Sequence, residues 1–501
     1  MSNVEDKLNI IHNYIDDIKK YAYKDVCLIE NQVLNKNPYT SEFISKYLFE
    51  TEFRNPSLLF IIKKVSFFYI KSFIRFLLYL LSFILFKIKY KKKEIDLNKD
   101  VVVVDTFFLV DKIISEQKFN EKYFFGLYEV FEKHNIQYVF LPRLYGVNKN
   151  PFKILKLLDV LNKDNNSFIF EFEILSIKDI INIFVNILIY PFKTIRLLRK
   201  STSAIDKLFN YEVINTLDST PFSAYIRYLI GKRISTKFHN GTKIISWQEF
   251  QELEKTLNRA VRESDKLIKI YGCQFLIQYK NYISMYMTNT DYELNITPHE
   301  TLLNGQVNYN LSTKQKYRNG VSLRYKNLYD FESINDTKDI LVLLSYDIEE
   351  SIYLLMILDG IEESIKVKIH PATKKEQFVD YFNDNMEFVD GNIYELLSNT
   401  KIVFVAPMSG TSLEAVACGV SVIIISNNSR LIMNPLVNKG KGIIWDIAFN
   451  KHDVNKLYNS ILKYRKNNIN KIEEIALWYR ENFFIEPTEE NIIKSFELDK
   501  E

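Results

Sequence analysis

The second half of the sequence alternates short β-branched runs with segments of helical apolar spacing. Continuous apolar runs of four to six residues are typical of parallel strands, because such strands are covered on both faces. The helical segments between them supply the crossover connections that parallel strands require. Strands are predicted at residues 340–344, 367–370, 402–406 and 422–425, and helices at 351–358, 374–384, 393–397 and 411–418. This pattern predicts a doubly wound, Rossmann-like domain.

The first half follows the same alternation less regularly. A valine run at 101–104 ends at Asp105 and predicts a first strand. Further strands are predicted at 138–141 and 168–172, and helices at 123–133 and 250–270. Because 501 residues exceed the size of one ordinary core, the predicted fold class is α/β with two Rossmann-like domains.

Two segments mix long apolar stretches with recurring basic residues, at 58–93 and 178–200. The longest uncharged run of the first, 76–86, is shorter than the roughly 20 residues of a spanning helix. Both segments are therefore predicted to be amphipathic helical insertions at a membrane surface, with a buried core helix as the alternative. The basic cluster 91–93 would add attraction to anionic lipids. The side chains expected to reach the headgroups are Lys63, Lys64, Lys71, Arg75, Lys87 and Lys89.

The charge and cysteine content exclude several classes of protein. With 66 basic and 62 acidic residues the net charge is +4, which gives no overall field for binding a nucleic acid. Cys27, Cys273 and Cys418 form no CxxC pair, which argues against a disulfide framework or a zinc site. The N-terminus lacks a basic segment followed by an apolar run, so no secretory signal is expected. We predict a cytoplasmic protein that associates peripherally with the inner membrane.

The strongest local motif is the stretch VFVAPMSGTSLEAVACGVSVIIIS at 403–426. A predicted strand ends at Pro407, a turn of small residues follows at 409–412, and a helix begins there. Unpaired amides and hydroxyls at such a turn are suited to phosphate oxygens, and open α/β sheets bind ligands at this edge. In the alternative interpretation, Ser409 and Thr411 only cap the helix.

A second motif, KIHP, places His370 at the end of a predicted strand. A single histidine is more often structural than functional. Pro371 favours an extended conformation for the residue before it, which would direct His370 to the same edge of the sheet as the 409–412 turn. Two polar features at one edge indicate a ligand site more strongly than either alone.

These motifs resemble the sugar-nucleotide site of GT-B glycosyltransferases of bacterial surface-polysaccharide synthesis. The HP and Ser/Thr motifs look like those of sialyltransferase-like and Kdo-transferase-like enzymes, which implies a CMP-linked ulosonic acid as donor. SLEAVACGVSVI also resembles the donor-domain helix of GT-B enzymes in which a glutamate contacts the ribose or sugar of a nucleoside-diphosphate donor, so a nucleoside-diphosphate hexose remains open. The donor contacts implied by the resemblance are His370, Pro371, Ser409, Gly410, Thr411, Ser412 and Glu414.

Two carboxylates are candidates for the catalytic base that removes the acceptor proton. WQEFQELEKTL at 247–257 is similar to a WYENQxxExxL-like segment of surface-carbohydrate transferases. Glu249 matches and is the first candidate; as an alternative it is a charge favoured at a helix entry. Asp105, at the end of the first strand, is the second. GVSLRYKNLY at 320–329 resembles a piece preceding the donor domain of the same group, and the residues considered for lining the cleft are Asn304, Gly305, Arg324 and Lys326.

No DxD-type pair stands at a predicted strand end, so transfer without a metal or other cofactor is expected. The expected function is sugar transfer from a nucleotide-sugar onto a lipid-linked or growing surface glycan. The alternatives are a non-catalytic polysaccharide-assembly subunit and a sugar-nucleotide epimerase. The predicted regions are 1–95, helical with a membrane-associated segment; 96–320, the acceptor domain; 321–485, the nucleotide-sugar domain; and 486–501, a C-terminal tail.

Overall fold

The computed structural model describes residues 2–38, 40–91, 99–121, 123–147, 150–200, 203–332, 337–371, 373–427 and 431–499, with the side chains of residues 2 and 3 excepted. The described chain contains two six-stranded parallel sheets with helices on their faces. This confirms the predicted fold class of two Rossmann-like domains in a GT-B-like arrangement.

The first sheet has the strand order β2-β1-β3-β4-β5-β6. Its order reverses between β1 and β3, where Val102 pairs with Lys243. The carboxyl ends of these two strands form the topological switch point at which such sheets bind ligands. Its strands are β1 Val102–Leu109, β2 Tyr138–Tyr145, β3 Lys243–Trp247, β4 Lys269–Cys273, β5 Glu300–Leu303 and β6 Tyr317–Asn319.

The second sheet has the order β12-β11-β10-β7-β8-β9. Its switch point lies between β7 and β10, where Leu343 pairs with Val405. The central strands 400–405 and 421–425 are buried at every position except Lys401, as the apolar runs predict. The strands are β7 Asp339–Leu343, β8 Ile365–Lys368, β9 Met386–Phe388, β10 Thr400–Val405, β11 Ser421–Ile425 and β12 Trp445–Ala448.

Eighteen α-helices are found in the described ranges. Those before or within the first sheet are α1 Ser2–Ala22, α2 Phe43–Phe49, α3 Leu58–Lys89, α4 Val110–Glu116, α5 Leu127–Lys133, α6 Lys153–Leu161, α7 Glu171–Ile174, α8 Ile177–Ile195, α9 Ala204–Asn215, α10 Ser223–Lys237, α11 Glu252–Arg262 and α12 Asn289–Glu293. Those of the second half are α13 Ile348–Leu358, α14 Ile393–Ser398, α15 Thr411–Ala417, α16 Lys451–Asn467, α17 Ile469–Phe483 and α18 Glu489–Phe496.

Three predicted elements differ in the structure. The strand predicted at 168–172 is a single bridge between Phe140 and Phe168, followed directly by α7. The helix predicted at 250–270 ends at Arg262, because the apolar segment after it forms β4. The helix predicted at 374–384 is reduced to two short 3-10 turns. In the first two cases an aromatic or apolar run fits either type of element, and tertiary packing decides between them.

Both ends of the chain pack on the first domain. Ile11 and Ile15 of α1 belong to the same apolar core as Phe209 and Ile244. Residues 486–501, predicted as a tail, include α18, whose Ile492 packs in the other core of the first domain. The chain therefore crosses between the domains twice.

The predicted membrane segments form α3 and α8, which pack against each other. Phe76 and Phe184 have ring centroids 5.3 Å apart, and Tyr69 Oη donates to Leu188 O at 2.8 Å. By length and composition α3 is also able to cross a bilayer. The outer surfaces of the two helices, called here the apolar face, expose Ile70, Phe73, Ile74, Leu77, Ile181, Val185, Leu188 and Phe192.

The basic residues of α3 behave differently from the prediction. Lys64 and Lys71 both pair with Asp218, at 2.8 and 2.7 Å. Arg75 Nη1 donates to Thr220 O at 3.1 Å. These three side chains join α3 to the folded domain, because acceptors of that domain lie within their reach. Of the cluster 91–93, residues 92 and 93 lie outside the described residues.

Candidate functional site

The two domains meet beside the loop that follows β10. Tyr279 of the first domain donates from Oη to Met408 O at 3.4 Å. A Cβ on Gly410 would lie 3.5 Å from the same hydroxyl. The switch point of the second sheet therefore faces residues of the first domain, and we call the space between them the cleft.

The carboxyl end of β1 is held by a buried ion-pair network. Arg143 forms a bidentate pair with Asp105, with distances of 2.9 and 2.6 Å, and also contacts Glu254. Arg227 Nη2 lies 2.7 Å from Asp105, and Ser246 Oγ donates to the same carboxylate at 2.8 Å. Burial raises the pKa of Asp105, but the two arginines outweigh that effect and hold it at about 2.

This environment does not suit Asp105 to the role of a base. Its side chain is fully buried, and a carboxylate with two guanidinium partners has little affinity for a proton. Asp105 instead fixes Arg143, whose Nη2 donates to Trp247 O at 3.1 Å. We therefore interpret Asp105 as a residue that positions the end of β3.

Glu249 lies on the turn between β3 and α11. Trp247 Nε1 donates to Glu249 Oε1 at 2.7 Å. The next residue, Phe250, is buried and has φ of +60°, a left-handed conformation that is unfavourable for a bulky side chain. Local strain of this kind costs about 1–3 kcal/mol and persists where the surroundings impose it, often at functional sites.

The surroundings of Glu249 give it the protonation behaviour of a general base. Burial, then the charge of Glu254, raises its pKa to about 7, while Trp247 and Arg324 oppose the rise. A base is most effective when its pKa is near the working pH. Glu249 is half-buried, so the carboxylate is not sealed from the cleft.

His370 lies two residues beyond the end of β8. Its ring is 5.9 Å from that of Tyr346, which follows β7. Burial lowers the pKa of His370, and the charge of Arg324 lowers it further. The imidazole is therefore neutral at pH 7. Pro371 is exposed.

The loop from Ser409 to Ser412 separates into two kinds of residue. Ser409, Gly410 and Thr411 are half-buried. Ser412 is fully buried, and its Oγ donates to Ser409 O at 2.8 Å. The hydroxyl of Ser412 thus closes the turn. The described start of α15 has Gly410 at its N-cap and no side-chain cap hydrogen bond, so Ser409 and Thr411 do not cap the helix as the alternative interpretation expects.

Glu414 is held by a tyrosine that the sequence did not single out. Tyr394 Oη donates to Glu414 Oε2 at 2.7 Å. Burial raises the pKa of Glu414, while the Tyr394 hydrogen bond and the charge of Arg324 lower it. Nothing in the sequence links Tyr394 to this helix, because the contact depends on the packing of α14 beside α15.

Arg324 is a cation whose charge acts on carboxylates of both domains. Burial disfavours its charge, but Tyr325, Glu414 and Glu249 outweigh this and raise its pKa. Its guanidinium lies 5.9 Å from the Trp247 ring. Within the described ranges it makes no ion pair shorter than 4 Å. An arginine close to carboxylates of both domains, but paired with neither, is suited to an anionic ligand.

The structure thus brings together Glu249, His370, the 409–411 turn and Glu414, each near Arg324 or Tyr279. Asp105 and Ser412 do not belong to the cleft surface. The sequence analysis considered Arg324 only as a residue that lines the cleft. The feature that could have drawn attention to it is a basic residue between two apolar ones, Leu323 and Tyr325, which are both buried in the structure. Among the described residues no cluster of three or more His, Cys, Asp or Glu is placed to hold a metal, and metal-independent transfer stays a prediction.

No protein-family model matches the sequence, and no curated protein matches it either. Among solved structures, the chain is similar to MurG of Acinetobacter baumannii, with 11% identity, 80% of this chain and 100% of that chain covered, and a TM-score of 0.42. It is similar to the glycosyltransferase SnogD from Streptomyces nogalater, with 10% identity, 80% and 100% coverage and a TM-score of 0.41. It is also similar to the UDP-GlcNAc 2-epimerase from Neisseria meningitidis bound to UDP-GlcNAc, with 9% identity, 80% and 100% coverage and a TM-score of 0.44.

Proposed function

We propose that this protein is a glycosyltransferase that takes a sugar from a nucleotide-sugar and transfers it to a lipid-linked glycan at the inner face of the cytoplasmic membrane. The observation that carries the proposal is Arg324, which influences the pKa of Glu249 in the first domain and of Glu414 and His370 in the second. The cation Arg324 therefore lies close to Glu249, a carboxyl group whose pKa is near 7, at the junction of the two domains. Transfer from a phosphate leaving group can use both groups, the carboxylate as base for the acceptor hydroxyl and the cation to stabilise the leaving phosphate.

In the proposed reaction Glu249 accepts the proton of the acceptor hydroxyl. The acceptor oxygen forms a bond to the anomeric carbon, and the bond from that carbon to the donor phosphate oxygen breaks. The electron pair leaves with the phosphate, whose growing charge Arg324 stabilises. Neutral His370 donates a hydrogen bond to the same phosphate, and the amides and hydroxyls of the 409–411 turn surround it.

The proposed membrane association rests on the apolar face of α3 and α8. Helix α3 buries Phe68, Phe76 and Phe86 at intervals along most of its length. Because the folded domain lies against this side of the helix, crossing the bilayer would carry the domain into the hydrocarbon. An interfacial position, with the opposite side among the acyl chains, satisfies both sides of the helix.

The proposed donor is a CMP-linked ulosonic acid, supported by the HP and Ser/Thr motifs at His370 and Ser409. A nucleoside-diphosphate hexose is the alternative, supported by the position of Glu414 on α15. Thermal unfolding with CMP, CDP, UDP and GDP separates the two. A ligand at about 100 times its dissociation constant adds roughly 2.7 kcal/mol of stability, so the correct nucleotide raises the midpoint and the others do not.

The reaction itself is tested with the purified full chain, membrane lipid extract as acceptor and radiolabelled nucleotide-sugars. Label entering the lipid fraction supports transfer, and slow donor hydrolysis without acceptor also indicates catalysis. Nucleotide binding with neither transfer nor hydrolysis would favour a non-catalytic assembly subunit. Isomerisation of the free nucleotide-sugar without lipid would identify an epimerase instead.

A further inference from the structure

A large cavity lies between α3 and the carboxyl ends of β1 and β2. Its volume is about 720 Å³, within the usual range of about 300–1,000 Å³ for small-molecule sites. Its walls come from α3, α7, α10, the start of α11 and the ends of both strands. None of the predicted donor-binding or catalytic residues is among its lining residues.

Arg227 of α10 lines this cavity with an unsatisfied donor. The residue is 5% exposed, and its only ion pair in the described structure is with Asp105. Asp105 is already engaged by Arg143 and Ser246. Arg227 Nε is buried and has no hydrogen-bond acceptor. Buried donors are nearly always paired in folded proteins, so the missing acceptor points to a ligand.

A second guanidinium enters the same cavity from α3. Arg75 donates from Nη1 to Thr220 O at 3.1 Å, which leaves most of its five N–H donors unused. The pocket also contains one carboxylate, Glu171, whose pKa burial raises to about 7, with Arg227 opposing. The charges of Arg143 and Arg227 are balanced by those of Asp105 and Glu254. When Glu171 is protonated, the charge of Arg75 therefore makes the cavity positive.

The rest of the lining is mainly apolar, although it includes Ser82, Ser219 and Ser223. Its apolar side chains include those of Leu78, Tyr79, Phe172, Phe222, Ile226 and Leu253. Helix α3 contributes Leu78 to the cavity and the neighbouring Leu77 to the apolar face. A cavity with guanidinium donors and apolar walls, built on the helix assigned to the membrane surface, is suited to an amphiphile with an anionic head.

The cavity is also close to the proposed base. Phe107 lines it and makes an edge contact of 5.2 Å with Trp247, and Trp247 donates to Glu249. The charge of Arg143, a lining residue, acts on the pKa of Glu249. A head group held here would place the sugar or hydroxyl attached to it near Glu249.

We propose that this cavity binds the phosphate of an isoprenoid-phosphate acceptor, with Arg227 and Arg75 contacting the phosphate and the apolar walls contacting the first part of the chain. This inference rests on the proposed function, because it names the chemical class of the acceptor. The binding of that ligand can nevertheless be measured without turnover. Arg227 and Arg75 are then binding residues.

The test is calorimetric titration of the full chain, in one neutral detergent at fixed concentration, with farnesyl phosphate, farnesol and inorganic phosphate. Farnesyl phosphate is expected to bind roughly tenfold or more tightly than either of the others, because only it uses both the guanidinium groups and the apolar walls. Equal affinity for farnesyl phosphate and farnesol would overturn the proposal. Binding of phosphate alone with the affinity of farnesyl phosphate would reduce the site to one for a free anion and overturn it equally.

Three variants test which side chains of the cavity contact the phosphate. Arg227→Gln and Arg75→Gln are each expected to weaken farnesyl phosphate binding by roughly tenfold or more while leaving farnesol unchanged. Glu171→Gln is expected to have the opposite effect and strengthen farnesyl phosphate binding at pH 8, because it removes a carboxylate that is charged at that pH. Arg75 contacts only a backbone carbonyl of the described chain, so Arg75→Gln remains decisive if the loss of the Asp105 partner unfolds Arg227→Gln. Wild-type affinity in Arg75→Gln would refute the assignment.

Nucleotide titration of the same samples separates the two proposals. Normal nucleotide binding with no farnesyl phosphate binding overturns the acceptor site and leaves the proposed donor site standing. Farnesyl phosphate binding without binding of any nucleotide contradicts the proposed function and leaves an amphiphile site.

Discussion

Trp247 Nε1 and Glu249 Oε1 are joined by a 2.7 Å hydrogen bond at the end of β3, in a turn whose next residue has a left-handed backbone. The indole fixes the carboxylate without neutralising it. Because burial raises the pKa of Glu249 to about 7, this carboxyl group can exchange a proton at neutral pH.

Replacing Glu249 by Gln keeps the side-chain size but removes the carboxylate that is proposed to accept the proton of the acceptor hydroxyl. Turnover should fall by about 10²- to 10⁴-fold while donor affinity stays near normal. The measurements are steady-state transfer and nucleotide calorimetry. Glu252→Gln, a half-buried glutamate three residues later, is the matched control and should remain active. A fully active Glu249→Gln would remove Glu249 from the mechanism.

Arg324→Gln should weaken nucleotide binding by about 10- to 150-fold, the equivalent of about 1.5–3 kcal/mol for hydrogen bonds to a charged group. It should also raise the pKa of His370, because the Arg324 charge lowers it in the native protein. Calorimetry measures the first effect and NMR titration of the imidazole the second. Lys326→Gln removes a charge from the same segment and serves as control; an equal loss there would indicate a general field rather than a contact.

His370→Ala should cost about 1.5–3 kcal/mol of donor binding and leave the fold intact. The residue lies beyond the end of β8 and is only half-buried, so little packing is lost. Thermal unfolding checks the fold, and calorimetry the affinity. His452→Ala, an exposed histidine on α16, provides the comparison. Unchanged affinity in His370→Ala would show that the histidine is structural.

Polar replacement of Phe73, Ile74 and Leu77 should release the protein from vesicles, since each loses about 1.5–3 kcal/mol of apolar burial. These side chains are half exposed in the folded chain, whereas Phe76 is buried against α8 and its replacement would damage the core. Flotation with anionic vesicles measures the effect. Met356 and Leu477, exposed apolar residues of the second half, are the control positions. Undiminished flotation would contradict the interfacial role of α3.

Asp105→Asn should destabilise the first domain at neutral pH by about 3–5 kcal/mol, because it leaves the buried Arg227 without a charged partner and Arg143 with Glu254 alone. The folded pKa of Asp105, about 2, is below the unfolded value of 3.8. Its contribution is therefore complete above pH 4 to 5 and is lost as the pH falls toward 2. Urea unfolding at pH 7 and pH 3 should show a smaller difference between variant and wild type at the lower pH. A difference independent of pH would mean that the ion pair is not the cause.

The central strands of the second sheet could be predicted from the sequence within one or two residues. Strands such as β10 and β11 are buried on both faces, so residues 402–405 and 422–425 are all apolar and the signal is local. The edge strand β9 was not predicted, because its three residues are only partly buried and carry no such run.

The candidate site, like the sheets, could be predicted from the sequence only in part. The sequence by itself predicted which loops follow the carboxyl ends of strands. It therefore singled out Glu249, His370 and the 409–411 turn as candidate site residues. It could not decide between Glu249 and Asp105, since both are carboxylates after a strand. Only the tertiary structure made that choice, by placing Arg143 and Arg227 against one and a tryptophan in a half-buried turn against the other. The pKa and exposure of a carboxyl group depend on charges that are near in space and distant along the chain, and those distances exist only after folding.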